Sequence, residues 1–265
     1  MKLVQKKSML YAFIAVFGLN LVYPVCREMQ ASSAVYLKAP SQKDDQSRAV
    51  EELKKLGVPL QQDSRGDVRW IEATNGELND EAMRHLPSLP KLEWLEVGGG
   101  KVSPAGMASL KNCLALKRLY IHDVNLAGDA LAWLSGLANL EALSLQRTGI
   151  DGSALKNLKA TDNLVVLNLS GDKIVDGDID QIARIKGLEV LALADTKITG
   201  SGIARLEGMP RLNELNLMHC AVEDADLDYF LSMPNLRIVY AEGCTISDMG
   251  VQMTVAKFPM LAIFR

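Results

Sequence analysis

Leu140-Glu141-Ala142-Leu143-Ser144-Leu145-Gln146-Arg147-Thr148-Gly149-Ile150 is the stretch on which the reading of this 265-residue chain turns. Leu143 and Leu145 fall on one face of a short extended segment and Ser144 on the other, the two-residue alternation of a strand. Polar residues and Gly149 then interrupt the strand before a further apolar anchor, Ile150. The same stretch recurs along the chain. Steps of 24 residues outward from Leu140 meet Val68, Leu92, Leu116, Leu164, Leu188, Leu212 and Leu236. Three positions after each start come Ile71, Leu95, Leu119, Leu143, Leu167, Leu191, Leu215 and Val239. Five after come Ala73, Val97, Ile121, Leu145, Leu169, Leu193, Leu217 and Ala241. Ten after come Leu78, Val102, Leu126, Ile150, Ile174, Ile198, Val222 and Ile246. The chain is 48% hydrophobic, so four unbroken apolar columns are not a coincidence of composition.

Each unit therefore predicts a strand, a turn and then a short helix. Apolar trios three apart mark the helices: Met83, Leu86 and Leu89; Leu131, Leu134 and Leu137; Ile179, Ile182 and Ile185; Ile203, Leu206 and Met209. That spacing places each trio along one helical face. Asp80, Asp176, Asp224 and Asp248 share one repeat position, where a carboxylate is expected to cap the helix start. Small residues (Ala82, Gly106, Ala130, Ala154, Gly202 and Gly250) mark a close approach of helix and strand layer, with Asp178 and Asp226 as exceptions. A unit of this size cannot bury its apolar face alone, so the units must stack. Eight strands at ~4.8 Å spacing give a parallel sheet on the order of 35–40 Å across, with helices forming the opposite wall.

The pattern Leu-x-x-Leu-x-Leu-x-x-Thr-x-Ile, carried by Leu140–Ile150 and Leu188–Ile198, resembles the leucine-rich-repeat family over residues 68–265. Where many members have Asn, this chain has Thr148, Thr196, Cys220 and Cys244, with Gly, Val or Asp elsewhere. In that respect it is similar to the ribonuclease-inhibitor and cysteine-containing subclasses. The turn Ile246-Ser247-Asp248-Met249-Gly250 resembles that of short exported bacterial proteins with such repeats. The resemblance implies an α/β horseshoe solenoid with an inner parallel sheet and outer helices, and a binding role in general terms.

The N-terminus reads differently. Lys2, Lys6 and Lys7 precede an apolar run from Met9 to Val25, the layout of a secretory signal. Ser32-Ser33-Ala34 favours cleavage after Ala34, and Met29-Gln30-Ala31 is a weaker site. An uncleaved membrane anchor and lipid attachment at Cys26 stay open, although Tyr23-Pro24-Val25 fits a lipoprotein signal badly. Residues 35–45 read as a tether. Residues 46–66 read as an N-terminal cap, with a helix up to Leu56 and a hairpin across Asp63-Ser64-Arg65-Gly66. Residues 67–265 read as the solenoid, eight repeats plus a truncated ninth at Leu261. The chain carries a net charge of −3, and the cations of the first 34 residues leave the remainder at −6. An acidic remainder lacks the footprint of a nucleic-acid binder.

Chemistry has few places to reside. His85, His122 and His219 are the only histidines, and their repeat positions keep them from converging on a metal or a shared base. Asp195 and His219 share one position in neighbouring repeats, which reads either as an acid–base pair or as a surface ion pair. Gly98-Gly99-Gly100 lacks the Lys and Ser or Thr of a phosphate loop, and no motif calls for a cofactor. Cys220 and Cys244 stack in adjacent repeats, leaving open a disulfide or two small buried thiols. Cys113 has no evident partner.

Residues alternating with the buried strand leucines must face outward. Two positions after each start come Trp70, Trp94, Arg118, Ala142, Val166, Val190, Glu214 and Ile238; four after come Glu72, Glu96, Tyr120, Ser144, Asn168, Ala192, Asn216 and Tyr240. Trp, Tyr and Arg are common interface anchors. The expected partner-binding face is therefore Trp70, Glu72, Trp94, Glu96, Arg118, Tyr120 and His122, extended by Val166 and Val190. The alternative is that the cap folds over Trp70 and Trp94. The sequence thus predicts an exported, monomeric, non-enzymatic module that binds a protein through this face. Binding of cell-wall glycan on the aromatic cluster and a hydrolase built on Asp195 and His219 are the rival readings.

Overall fold

The computed structural model describes residues 42–126, 131–160 and 163–265, without the side chains of 159 and 160. The expected export signal and its cleavage sites lie outside the described residues. Residues 44–265 form one compact unit. Its helix α1 (Gln42–Lys55) is followed by strands β1 (Leu60–Gln62), β2 (Val68–Ala73), β3 (Trp94–Gly98), β4 (Arg118–His122) and β5 (Ala142–Gln146). Then come β6 (Val166–Asn168), β7 (Val190–Ala192), β8 (Glu214–Asn216), β9 (Ile238–Tyr240) and β10 (Ala262–Phe264). All ten make one sheet in sequence order. β1 runs antiparallel to β2, with Leu60 opposite Ile71 and Gln62 opposite Val68. Every later pairing is parallel and joins residues one repeat apart, as in Leu95 with Leu119 and Leu143 with Leu167. The result is an α/β solenoid.

Each crossover returns through a short helical segment. Among the described residues four are single α-turns, α2 (Asp80–Met83), α3 (Pro104–Met107), α4 (Ile179–Ile182) and α5 (Gly200–Ala204), and α6 (Asp248–Lys257) is longer. The returns after β4, β5 and β8 are tighter 3-10 turns, Ala132–Gly136, Ala154–Ala160 and Asp224–Ser232, and a further 3-10 turn, Leu86–Ser88, follows α2 in its own return. The expected short helices are present, several of them in 3-10 rather than α geometry. The apolar trio Leu131, Leu134 and Leu137 recurs at intervals of three, the period of the 3-10 turn it accompanies, while Ile179 and Ile182 share one face of an α-turn. Met83, Leu86, Leu134, Ile179 and Ile182 are fully buried. They meet the strand leucines, which are likewise sealed, in one continuous core.

The shared aspartates do not cap their own helices. The N-caps are Asn79, Ser103, Thr199 and Ser247, whose side chains accept from backbone N–H groups of the first turn. Asp80, Asp176 and Asp224 stand one residue later and reach into the next repeat. Asp80 accepts from Ser103 N at 2.7 Å and Ser103 Oγ at 2.6 Å. Asp176 accepts from Thr199 N at 2.8 Å and Thr199 Oγ1 at 2.7 Å, and Asp224 does the same with Ser247. The small residue in the following helix has its explanation here: a Cβ on Gly106, Gly202 or Gly250 would collide with the carboxylate of the preceding repeat. Asp178 and Asp226 instead accept from the backbone of their own turns, at Val175 N and Glu223 N, both at 3.0 Å.

At the amino end α1 buries Ala49, Val50 and Leu53 in the core. Gln46 holds the β1–β2 turn through Gly66 O at 2.9 Å and Asp67 Oδ1 at 3.2 Å. No helix among the described residues is long and apolar enough to cross a membrane.

Candidate functional site

Strand alternation sends one row of side chains into the core and the other out of the opposite sheet face. On that outer row Trp70, Trp94 and Arg118 are in register on β2, β3 and β4, with Glu72, Glu96 and Tyr120 one step along. Trp94 and Tyr120 meet edge to face, with ring centroids 6.2 Å apart and planes at 77°. Trp70, Trp94 and Tyr120 are half-buried, while Glu72 and Arg118 are exposed. Burial raises the Tyr120 phenol above its ordinary range, against the nearby Arg118 charge. The rings therefore present part of their surface to solvent, already held in place by each other.

His122 closes this cluster at the exit of β4. Its Nε2 lies 3.6 Å from Glu96 Oε1 and its Nδ1 3.0 Å from Asp123 Oδ2. Glu96 first, and Asp123 after it, raise the imidazole pKa against its partial burial. The ring rests over Gly98, where any Cβ would strike it. Asp123 in turn accepts two bonds from Arg147, at 2.7 and 2.8 Å, and the guanidinium holds its carboxyl far below the usual range. Sequence reasoning missed this pair. Its signal was there: Asp123 and Arg147 are 24 residues apart in one column with opposite charge. The column is the left-handed turn after each strand, with positive φ at Gly99, Asp123, Arg147, Gly171, Asp195, His219 and Gly243. The four non-glycine members each bear a conformational cost of about 1–2 kcal/mol.

Further along, the outward row becomes small and closed. Ala142, Ser144, Asn168 and Ala192 are buried, and Val166 and Val190 are half-buried neighbours in register. Glu214 on β8 is also buried, and Tyr240 and Phe264 stack at 5.5 Å on β9 and β10.

The remaining candidates stay apart. His85 follows α2, His122 ends β4 and His219 lies in the turn after β8. Among the described residues no group of three or more His, Cys, Asp and Glu side chains could hold a metal ion. No ion pair joins Asp195 to His219 among the described residues, and the His219 ring leans instead over Gly243. Cys113, Cys220 and Cys244 are free thiols in this structure. Cys220 Sγ donates to Leu193 O and Cys244 Sγ to Leu217 O, each at 3.1 Å. In the same column Thr148 and Thr196 hydroxyls donate to Leu145 O and Leu193 O. Small donors thus turn onto strand-end carbonyls along this column. Burial raises both thiols in the column.

No protein-family model matches the sequence, and no curated protein matches it. Solved structures do. Internalin C2 from Listeria monocytogenes superposes with a TM-score of 0.58 at 21% identity, over 83% of this chain and 91% of that one. The two share an α/β solenoid fold of parallel strands and returning helical turns. A structure of TLR13 in complex with ssRNA13 matches with a TM-score of 0.53 at 24% identity, over 71% of this chain. This chain spans only 27% of that one. At these identities the likeness is one of fold.

Proposed function

We propose that the chain is a non-enzymatic, extracytoplasmic protein-binding module of horseshoe form. It recognises a partner protein through the sheet face built by Trp70, Glu72, Trp94, Glu96, Arg118, Tyr120 and His122, with Val166 and Val190 as its apolar continuation. The observation that carries this reading is the half-exposed, edge-to-face Trp94–Tyr120 pair. Large aromatic side chains already fixed by their neighbours lose little freedom on binding, which makes them good anchors. The N-terminal export signal supplies the extracytoplasmic location. The TLR13 structure is a complex with ssRNA13, but this chain is acidic and its face carries Glu72, Glu96 and Glu214, so a polyanion is disfavoured here.

The test immobilises the chain and its Trp94→Ala, Tyr120→Ala double variant as baits for envelope proteins and for soluble cell-wall fragments of the source cell. Capture of a protein by the parent, lost by a variant with the same circular dichroism, supports the reading. Equal capture by both removes this face from the account. Retention of glycan fragments in place of protein assigns the aromatic cluster to sugar stacking.

A further inference from the structure

Glu214 occupies the outward row of β8, the position held by Trp94 on β3 and Arg118 on β4. Its residue is only 7% exposed. Among the described residues, neither a hydrogen bond nor an ion pair reaches its carboxylate. Its neighbours in register are Val190 on β7 and Ile238 on β9, both apolar. One step along, Asn216 lies between Ala192 and Tyr240, with its Oδ1 already accepting from Met218 N at 3.0 Å. The cations near β8 are committed elsewhere. Arg211 pairs with Glu189, and Arg237 donates to Pro234 O and Leu236 O while lying over the Phe258 ring. Arg118, on the same row, is four strand steps away, about 19 Å.

Burial alone pushes the Glu214 carboxyl up to about 7. Burial, and after it the Glu214 charge, pushes the Tyr240 phenol up to about 12, so the two groups lie close enough to interact. A carboxylate left with a small remnant of solvent contact and no donor from the chain is unfavourable in its ionised form. A guanidinium or ammonium group restores both what is missing, the opposite charge and several N–H donors. A guanidinium does so with two parallel bonds to one carboxylate. Val190 and Ile238 offer the apolar walls that the methylene stem of such a side chain covers.

We propose that Glu214 anchors an arginine or lysine side chain of the partner protein, making the face a two-point reader with the aromatic cluster at one end and this carboxylate at the other. The inference rests on the reading that this face binds a protein. Trp94 and Glu214 are five strand steps apart, about 24 Å, which an extended segment of about seven residues spans. The partner segment therefore carries its basic residue about seven positions from the residue seated against Trp94.

The full chain, with its glutamate side-chain carboxyl carbons labelled with carbon-13, is titrated at pH 8 with n-butylguanidinium and, separately, with the uncharged n-butylurea. Comparison with Glu214→Gln assigns the Glu214 resonance. The expected result is a saturable shift of that resonance at a concentration at least tenfold below any response of the exposed Glu207, with none from the urea. A Glu214 resonance that moves no more than that of Glu207, or moves equally with the urea, overturns the proposal. The two readings fail separately. A silent Glu214 alongside capture lost by the Trp94/Tyr120 variant rejects the basic anchor and leaves the binding face. A responsive Glu214 alongside unchanged capture leaves a cation site and removes the aromatic anchor.

Discussion

Asp172 and Glu214 are both buried carboxyls, 4% and 7% exposed, and burial pushes both up to about 7. Their surroundings differ completely. Asp172 sits in the turn after β6, where it accepts from Thr148 N at 2.8 Å, Gly149 N at 2.7 Å and Thr148 Oγ1 at 3.3 Å. It stitches one repeat to the next by completing backbone donors that no strand reaches. Glu214, on the outward row of β8, completes nothing within the chain. Equal burial thus describes a structural brace in one place and an unfilled valence in the other. What separates them is the number of donors aimed at the oxygen atoms, because an unpaired buried group costs free energy and a paired one need not.

The sharpest way to break this comparison is to remove both side chains in turn. Asp172→Ala strands two backbone N–H groups and is expected to lower unfolding free energy by about 3 kcal/mol; urea denaturation at pH 7 measures it. A loss under ~1 kcal/mol would mean that the turn closes on other donors. Glu214→Gln is expected to act in the opposite direction. The folded state keeps the Glu214 proton between the ordinary value of 4.5 and about 7, while the unfolded state has released it. Stability therefore falls as pH rises through that window and is level above it. The variant is expected to match the parent at pH 4 and to exceed it by about 3 kcal/mol at pH 8. A difference independent of pH would show that ionisation of Glu214 is not the cause.

Two smaller effects grade the scale between these extremes. Asp176 has two donors from Thr199 at a half-buried position. Asp176→Ala is expected to cost about 1 kcal/mol, read as a lower midpoint at unchanged denaturant slope. His122 is held between two carboxylates, with its folded pKa raised, chiefly by Glu96. That contribution is fully present below the ordinary imidazole value and is lost as pH rises through the raised one. His122→Gln is expected to cost about 0.5 kcal/mol at pH 5.5 and nothing at pH 9. A constant difference across that range would reduce His122 to a packing residue over Gly98.

The sequence made much of the frame legible and less of its chemistry. A 24-residue period in four apolar columns leaves little choice of strand position or register, since a one-residue slip would expose every core leucine. The caps were misplaced by one residue. Asn79, Ser103, Thr199 and Ser247 stand directly before the shared position, and their run of short polar side chains was the signal for the true caps. The trio Leu131, Leu134 and Leu137 accompanies a 3-10 turn, whereas Met83, Ile179, Ile182 and Ile203 lie in α-turns, so a spacing of three did not separate the two geometries. The ion pair between Asp123 and Arg147 was readable only once the turn column was seen to project side chains. Glu214 was placed on the outward row by alternation alone, but the sequence gives no sign that this position is closed.

Alone, then, the sequence determined the stacking of repeats, the ten-strand order of the sheet from the cap onward and the identity of the outward row, because these follow from covalent spacing and apolar burial. Tertiary structure decided which outward positions remain open, which carboxylates reach across repeats and which stand unpaired. Those outcomes depend on distances between side chains about one repeat apart in sequence, and only neighbouring repeats packed at a strand's spacing set those distances.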